Sequence, residues 1–363
     1  MNKYGILLGL LLITLQATAQ KADYSRLVTK GISYTGRTLA ANDGSVKFDW
    51  TGVYAQTDFT GGCLAVEMSN TRPCYFNVFI DGKWTTKIHA DSTARQRIVL
   101  AEKLSKGTHR LRLQRACEGG SITTIHGFYA AKGAQLKPVG GKSRMIEIFG
   151  DSYTCGYGSD SPTQDEHFKI ETENVDHAYG CIIARFFDAD YAIEAHSGQG
   201  MVRNYGDKKQ CSDYSMLERH TKTFDNDKST DYDFSAYRPD LVIINLGTND
   251  FSREVTPTPD QYVGNYVKMI QNLRSHYGNV PVLCVLPHSA RKYLQACFPL
   301  LRERCYSDSN VFFAEPMLEI LRDGRDYGAD GHPNYHGHRK IAMKLIPQIS
   351  KIMDWEIEDK TVK

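Results

Sequence analysis

The hydrophobic pattern of the chain changes period near residue 144, and this change constrains the fold more than any other feature. Before it, apolar residues recur at every second position. Val46, Phe48 and Trp50 alternate with Lys47 and Asp49, and Leu64, Val66 and Met68 alternate with Ala65 and Glu67. Phe76, Val78 and Ile80 repeat the pattern ahead of an Asp81-Gly82 turn, and Leu111 and Leu113 sit between Arg110, Arg112 and Gln114. A period of two places alternate side chains on one face of a sheet. Sustained with turn signals between the segments, it predicts an antiparallel β-sandwich over residues 28–137, with a jelly roll as the expected version. Lys137-Pro138-Val139-Gly140-Gly141-Lys142 reads as a linker.

Beyond the linker, short apolar runs alternate with amphipathic stretches. The strand candidates are residues 145–149, 191–195, 241–246, 280–286 and 310–313. Between them Val263, Tyr266, Val267, Ile270 and Leu273 recur at helical spacing, as do Leu294, Cys297, Leu300 and Leu301. Ile341, Leu345 and Ile349 give a last helix its apolar stripe. Alternating strands and helices predict a parallel sheet covered on both faces, here over residues 143–358. In such sheets the reactive groups gather beyond the carboxyl ends of the strands.

Composition narrows the function classes. A formal net charge of +2 without a long run of like charges gives no footprint for nucleic acid. Met1-Asn2-Lys3, an apolar run from Ile6 to Leu15 and Ala17-Thr18-Ala19 form a secretory signal over residues 1–19, so export is expected. That run falls short of the roughly 20 residues that span a bilayer, and no membrane insertion is expected. Nine cysteines follow it, an odd number that leaves at least one unpaired, and none has CxxC metal spacing. Several, such as Cys284 in an apolar run, read as core residues. One or two disulfides are compatible with export, with no pairing indicated.

Four polar segments follow successive strands. Gly150-Asp151-Ser152-Tyr153-Thr154 ends the first, where a serine can be held with its hydroxyl accessible. Glu194-Ala195-His196-Ser197-Gly198-Gln199-Gly200 ends the second, and its glycines let backbone N–H groups approach a ligand. Gly247-Thr248-Asn249-Asp250 ends the third, placing an amide that can face a developing oxyanion. Gly328-Ala329-Asp330-Gly331-His332-Pro333 precedes the last helix, with Asp330 as a candidate acceptor for the Nδ1 proton of His332. Each alone is compatible with an ordinary turn or cap. A metal site on His332, His336 and His338 has no acidic partner pattern to support it.

Taken together, these segments resemble the four blocks of the SGNH (GDSL-type) hydrolases. The resemblance to carbohydrate esterase family 2 is closer. It rests on Ile148-Phe149-Gly150-Asp151-Ser152-Tyr153-Thr154-Cys155-Gly156-Tyr157-Gly158, on Ser197-Gly198-Gln199-Gly200-Met201-Val202-Arg203-Asn204-Tyr205, and on Asn245-Leu246-Gly247-Thr248-Asn249-Asp250-Phe251. Members of that family also carry a β-sandwich ahead of the hydrolase domain. The resemblance therefore implies a flavodoxin-like, three-layer α/β domain behind the sandwich. It implies Ser152 as nucleophile, His332 as general base and then acid, and Asp330 as the carboxylate behind it. The implied oxyanion hole is the Ser152 N–H, the Gly200 N–H with Gly198 as the alternative, and the Asn249 amide. The implied substrate is an acetylated carbohydrate of the xylan or glucomannan kind, and no metal or cofactor is implied. One departure stands out: most SGNH hydrolases space the acid as Asp-x-x-His, whereas only Gly331 separates Asp330 from His332, and the aromatic expected between them is missing.

Two other functions fit parts of the sequence. A lipase or thioesterase of the same superfamily would share the blocks, although no long apolar segment flanks them. A carbohydrate-binding protein with a silent hydrolase domain would use sandwich aromatics such as Trp50, Tyr75 and Trp84.

Overall fold

The change of period divides two architectures in the computed structural model, which describes residues 24–363. The expected export signal at residues 1–19 lies outside the described residues. The period-two half forms two antiparallel sheets. One runs, in spatial order, Ser33–Thr35, Tyr54–Thr60, Thr108–Arg115, Cys74–Ile80 and Lys83–Ala90, with Leu136–Lys137 also paired to Tyr54–Thr60. The other runs Leu39–Ala40, Val46–Phe48, Thr123–Ala130, Leu64–Asn70 and Gln96–Ala101. Their inward faces close over a core that includes Phe48, Phe59, Phe76, Leu113 and Phe128. Every described cysteine is a free thiol, and the Sγ atoms of Cys74 and Cys117 lie 2.7 Å apart in this core.

The second half is a five-stranded parallel sheet in the order Asp190–Ala195, Met145–Gly150, Leu241–Asn245, Val282–Cys284, Val311–Phe313. Numbered along the chain this is 2-1-3-4-5, and the crevice at its switch point opens beyond the first and third strands. Helices Tyr179–Phe186 and Tyr335–Met353 cover one face, and Pro259–Tyr277 and Lys292–Arg304 the other. Thr258 starts the third of these with a capping box to Gln261. The expected strand at 280–286 is shorter, Val282–Cys284, although Pro281 O still accepts from Val242 N and Val285 N donates to Ile244 O of the neighbouring strand, at 2.9 Å each. Among the described residues, no helix is long and apolar enough to cross a membrane.

The halves are joined by buried polar contacts as well as apolar ones. Arg37 of the sandwich reaches Glu147 (3.1 Å) and Glu194 (3.2 Å), carboxylates on the two strands nearest the crevice. Its guanidinium also donates to the carbonyls of His220 and Lys222 at 2.7 and 2.8 Å. The Trp50 indole N–H points at the Lys222 carbonyl, 3.4 Å away, so Trp50 is a buried junction residue and not a sugar platform. Trp84 is exposed, and Tyr75 stacks on His89 at 4.5 Å.

Candidate active site

Ser152 owes its position to a tight turn. A Cβ on Gly150 would lie 1.9 Å from Thr154 Oγ1, so only glycine lets the strand turn directly into the next helix. Asp151 caps that one-turn helix, Ser152–Cys155, by accepting the Tyr153 N–H at 3.1 Å. Burial holds the Asp151 carboxyl up to about 7. Ser152 Oγ then sits 3.0 Å from His332 Nε2. The main chain of His332 is fixed on both sides, its N–H donating to Ala329 O (3.0 Å) and its carbonyl accepting from Gly328 N (2.8 Å). Its ring packs against Tyr157 at 4.1 Å and Tyr153 at 5.3 Å. Burial lowers the imidazole pKa, and the carbonyls of Asp330 and Ala329 offset part of that. A neutral ring in this place can accept the serine proton.

Asp330 does not reach the His332 ring, which corrects the role expected from sequence. Its carboxylate accepts the Tyr157 hydroxyl (2.8 Å) and the Phe168 N–H (2.9 Å), and it pairs with His167 Nδ1 (2.9 Å). These hydrogen bonds, His167 first, lower its pKa. The cause is the backbone. Asp330 and Gly331 have φ of +51° and +70°, and two successive left-handed residues swing the carboxylate away from the ring two positions later. His332 Nδ1 is buried without a hydrogen-bond partner among the described residues. The ring is placed by aromatic packing and main-chain bonds instead of an acid.

The two glycines proposed from sequence as amide donors differ in their surroundings. Gly200 is buried and donates its N–H to Asn204 Oδ1 at 3.2 Å, so that amide is occupied. The N–H groups of Ser152 and Gly198 have no acceptor among the described residues, and Gly198 is the less buried of the two glycines. Asn249 lies between these segments, with Nδ2 donating to Gln199 O at 2.8 Å and to Asp151 Oδ2 at 3.2 Å. Asp250 secures the turn after Gly200, accepting the N–H groups of Met201 (2.9 Å), Val202 (2.7 Å) and Arg203 (2.9 Å). The three histidines of the metal alternative do not converge: His336 is exposed on the first turn of the last helix and His338 is buried, its ring accepting the Tyr179 N–H at 3.4 Å.

Several residues around the site carry no sequence signal. His196 Nδ1 bonds Asp225, whose carboxylate also bonds Arg219. Burial works against the imidazolium, but Asp225 and Glu118 outweigh it and raise the His196 pKa to about 9. Glu118, from the sandwich, accepts the Ser197 N–H at 2.6 Å. A cavity of about 170 Å³, lined by Tyr153, Thr248, Ser289 and Arg291, adjoins the segments that carry Ser152 and Asn249. It shares Ser252 and Arg291 with a second cavity of about 880 Å³ lined by Tyr205, Lys208 and Arg253.

Both halves of the chain match known protein families. Residues 34–139 match the carbohydrate esterase 2 N-terminal family, and residues 148–340 the GDSL-like lipase/acylhydrolase family. An acetylxylan esterase / glucomannan deacetylase of Cellvibrio japonicus is 32% identical over 96% of this chain and 97% of its own. The chain belongs to carbohydrate esterase family 2. Among solved structures, a family two carbohydrate esterase from Clostridium thermocellum in complex with cellohexaose is 28% identical, with a TM-score of 0.83 over 90% of this chain and 100% of that one. A family two esterase from Cellvibrio japonicus is 25% identical, with a TM-score of 0.79 over 90% of this chain and 96% of that one. This carbohydrate esterase is thus a carboxylic ester hydrolase, with an SGNH hydrolase domain behind an all-β domain.

Proposed function

We propose that this esterase is exported and removes O-acetyl groups from plant-type polysaccharides or oligosaccharides such as xylan and glucomannan. The observation that carries the proposal is the 3.0 Å contact between Ser152 Oγ and an imidazole that burial keeps neutral. His332 Nε2 takes the hydroxyl proton as Ser152 attacks the acetyl carbonyl. The oxyanion is met by the Ser152 and Gly198 N–H groups and by Asn249, which gives up its longer bond to Asp151. His332 then protonates the departing sugar hydroxyl and activates the water that releases acetate. The reaction is that of a serine–histidine pair, with the ring positioned by Tyr153, Tyr157 and the main chain.

The substrate assignment is supported by the named activity of the Cellvibrio japonicus relative and by the open cleft beside the site. Tyr205 is half exposed there with the Arg253 guanidinium 4.7 Å above its ring, a rigid flat surface suited to a sugar face. The strand orders of the two N-terminal sheets support reading that domain as jelly-roll-like. Acetate release from acetylated xylan, acetylated glucomannan and simple acetylated sugars tests the function. Release from the polymers is expected, and Ser152→Ala should abolish it. An esterase that instead prefers acyl chains longer than about four carbons on a series of small esters belongs with the lipases.

A further inference from the structure

Glu118, a carboxylate of the sandwich, touches both segments that carry the free amide donors. Its Oε2 accepts the Ser197 N–H at 2.6 Å and the Cys155 Sγ–H at 3.2 Å. Cys155 ends the short helix begun by Ser152, and Ser197 immediately precedes Gly198. A single oxygen therefore bridges the nucleophile helix to the glycine turn. Its other oxygen lies 4.0 Å from His196 Nε2, one residue before Ser197.

The loop that presents Glu118 is held rigidly. Arg115, fully buried, donates to the carbonyls of Cys117 (3.0 Å) and Glu118 (2.7 Å) and to Thr123 Oγ1 (2.8 Å). The Glu118 N–H donates to Glu173 Oε2 at 3.2 Å. The next residue must be small, since a Cβ on Gly119 would lie 2.3 Å from Asp225 Oδ2. Such anchoring is far more than a surface loop needs.

We infer that Glu118 is a positioning residue for the oxyanion hole, through which the sandwich domain sets the spacing of the Ser152 and Gly198 N–H groups. Oxyanion donors work only when they are held where the charge develops, and a misplacement of about 1 Å can cost on the order of 10²-fold in rate. Among the described residues the two segments also meet at Cys155 Sγ and Ser197 Oγ, 3.6 Å apart, and through Asn249, which donates to both Gln199 O and Asp151 Oδ2; Glu118 is the charged member of this set. On this view the sandwich is part of the catalytic scaffold and not only a neighbour. Glu118 also raises the proton affinity of His332, as does Asp330, whereas burial lowers it.

The inference rests on the serine-esterase reading, and 4-nitrophenyl acetate hydrolysis by the full chain separates the two. If the unsubstituted enzyme does not cleave this ester, the serine-esterase reading falls. If it does, Glu118→Ala should lower kcat about 10- to 100-fold with KM within about threefold, because the lost contact serves the transition state. Glu118→Gln, which keeps an acceptor oxygen and the side-chain volume, should recover most of kcat. It should nevertheless move the acid limb of the pH–rate profile downward, since His332 loses a group that raises its pKa. A role in holding the domains together would not move that limb. Wild-type kcat in Glu118→Ala, or a change in KM alone, overturns the inference. Should Glu118→Ala not fold, Glu118→Asp, whose carboxylate falls one methylene short of both donors, should lower kcat about 10-fold, and wild-type kcat in that variant overturns the inference.

Discussion

At the residue scale, the Ser152–His332 pair is separated from the acid that sequence places behind it. Asp330 spends its carboxylate on Tyr157, Phe168 and His167 and not on the His332 ring itself, against which Tyr157 packs. Where a buried triad acid is converted to its amide, the rate falls by about 10⁴. Asp330→Asn should instead keep kcat for a small acetyl ester within about tenfold of wild type, and steady-state kinetics would show it. The environment of His332 makes a second prediction. Burial lowers its pKa below the ordinary imidazole value of about 6.5. Protonation removes the acceptor that Ser152 needs, so a lowered pKa keeps the base available into mildly acidic solution. The acid limb of kcat/KM against pH should accordingly have a midpoint below 6.5.

At the scale of elements, the second and third active segments are bound to each other by Asp250. Three buried N–H groups, those of Met201, Val202 and Arg203, end on its carboxylate. Asp250→Ala would strand all three, and each unsatisfied buried donor costs about 1–3 kcal/mol. The urea midpoint should fall by at least the equivalent of one such loss, and kcat should drop as the Gly198 turn loosens. Burial raises the Asp250 pKa to about 6 despite those bonds. The folded state therefore holds this proton to higher pH than the unfolded chain does. The stability linked to it is complete below about pH 4 and is lost as pH rises through about 6. The sequence shows the strands, the helical stripes and the polar segments after successive strands, because periodicity and turn residues are local. It puts Ser152 and Asn249 just past strands and His332 just ahead of the last helix, where the structure has them, for the same reason. Which amide of Ser197-Gly198-Gln199-Gly200 is free depends on where Asn204 folds back, and the direction of the Asp330 side chain depends on two left-handed residues. Spacing alone encodes neither. Glu118 and Ser197 are 79 positions apart, in halves of different period, so no local pattern joins them.

At the scale of the whole molecule, the two halves share one buried electrostatic centre. Arg37 is fully buried, and so are Glu147 and Glu194 on the strands that lead to the Ser152 and Ser197 segments. Tyr237 and Tyr277 donate to Glu147 Oε1 at 2.8 and 3.2 Å, and the Arg37 guanidinium lies 4.2 Å from the Tyr232 ring. Burying two carboxylates on adjacent strands is unfavourable unless a cation accompanies them, and within this cluster that cation comes from the sandwich. The parallel sheet thus draws one positive charge from the other half of the chain, while burial pushes the Glu194 pKa well above the ordinary carboxylate range. Removing one partner of a buried ion pair costs about 3–5 kcal/mol, because the remaining charge stays desolvated. Arg37→Met, which keeps an unbranched side chain but no charge, should lower the unfolding free energy by about that amount in urea titrations. The loss should shrink in Arg37→Met with Glu194→Gln, since the second change removes one of the stranded carboxylates. A smaller loss in the double variant than in the single one would show that the penalty is electrostatic. Equal or additive losses would show instead that Arg37 matters only for packing and for its bonds to the His220 and Lys222 carbonyls.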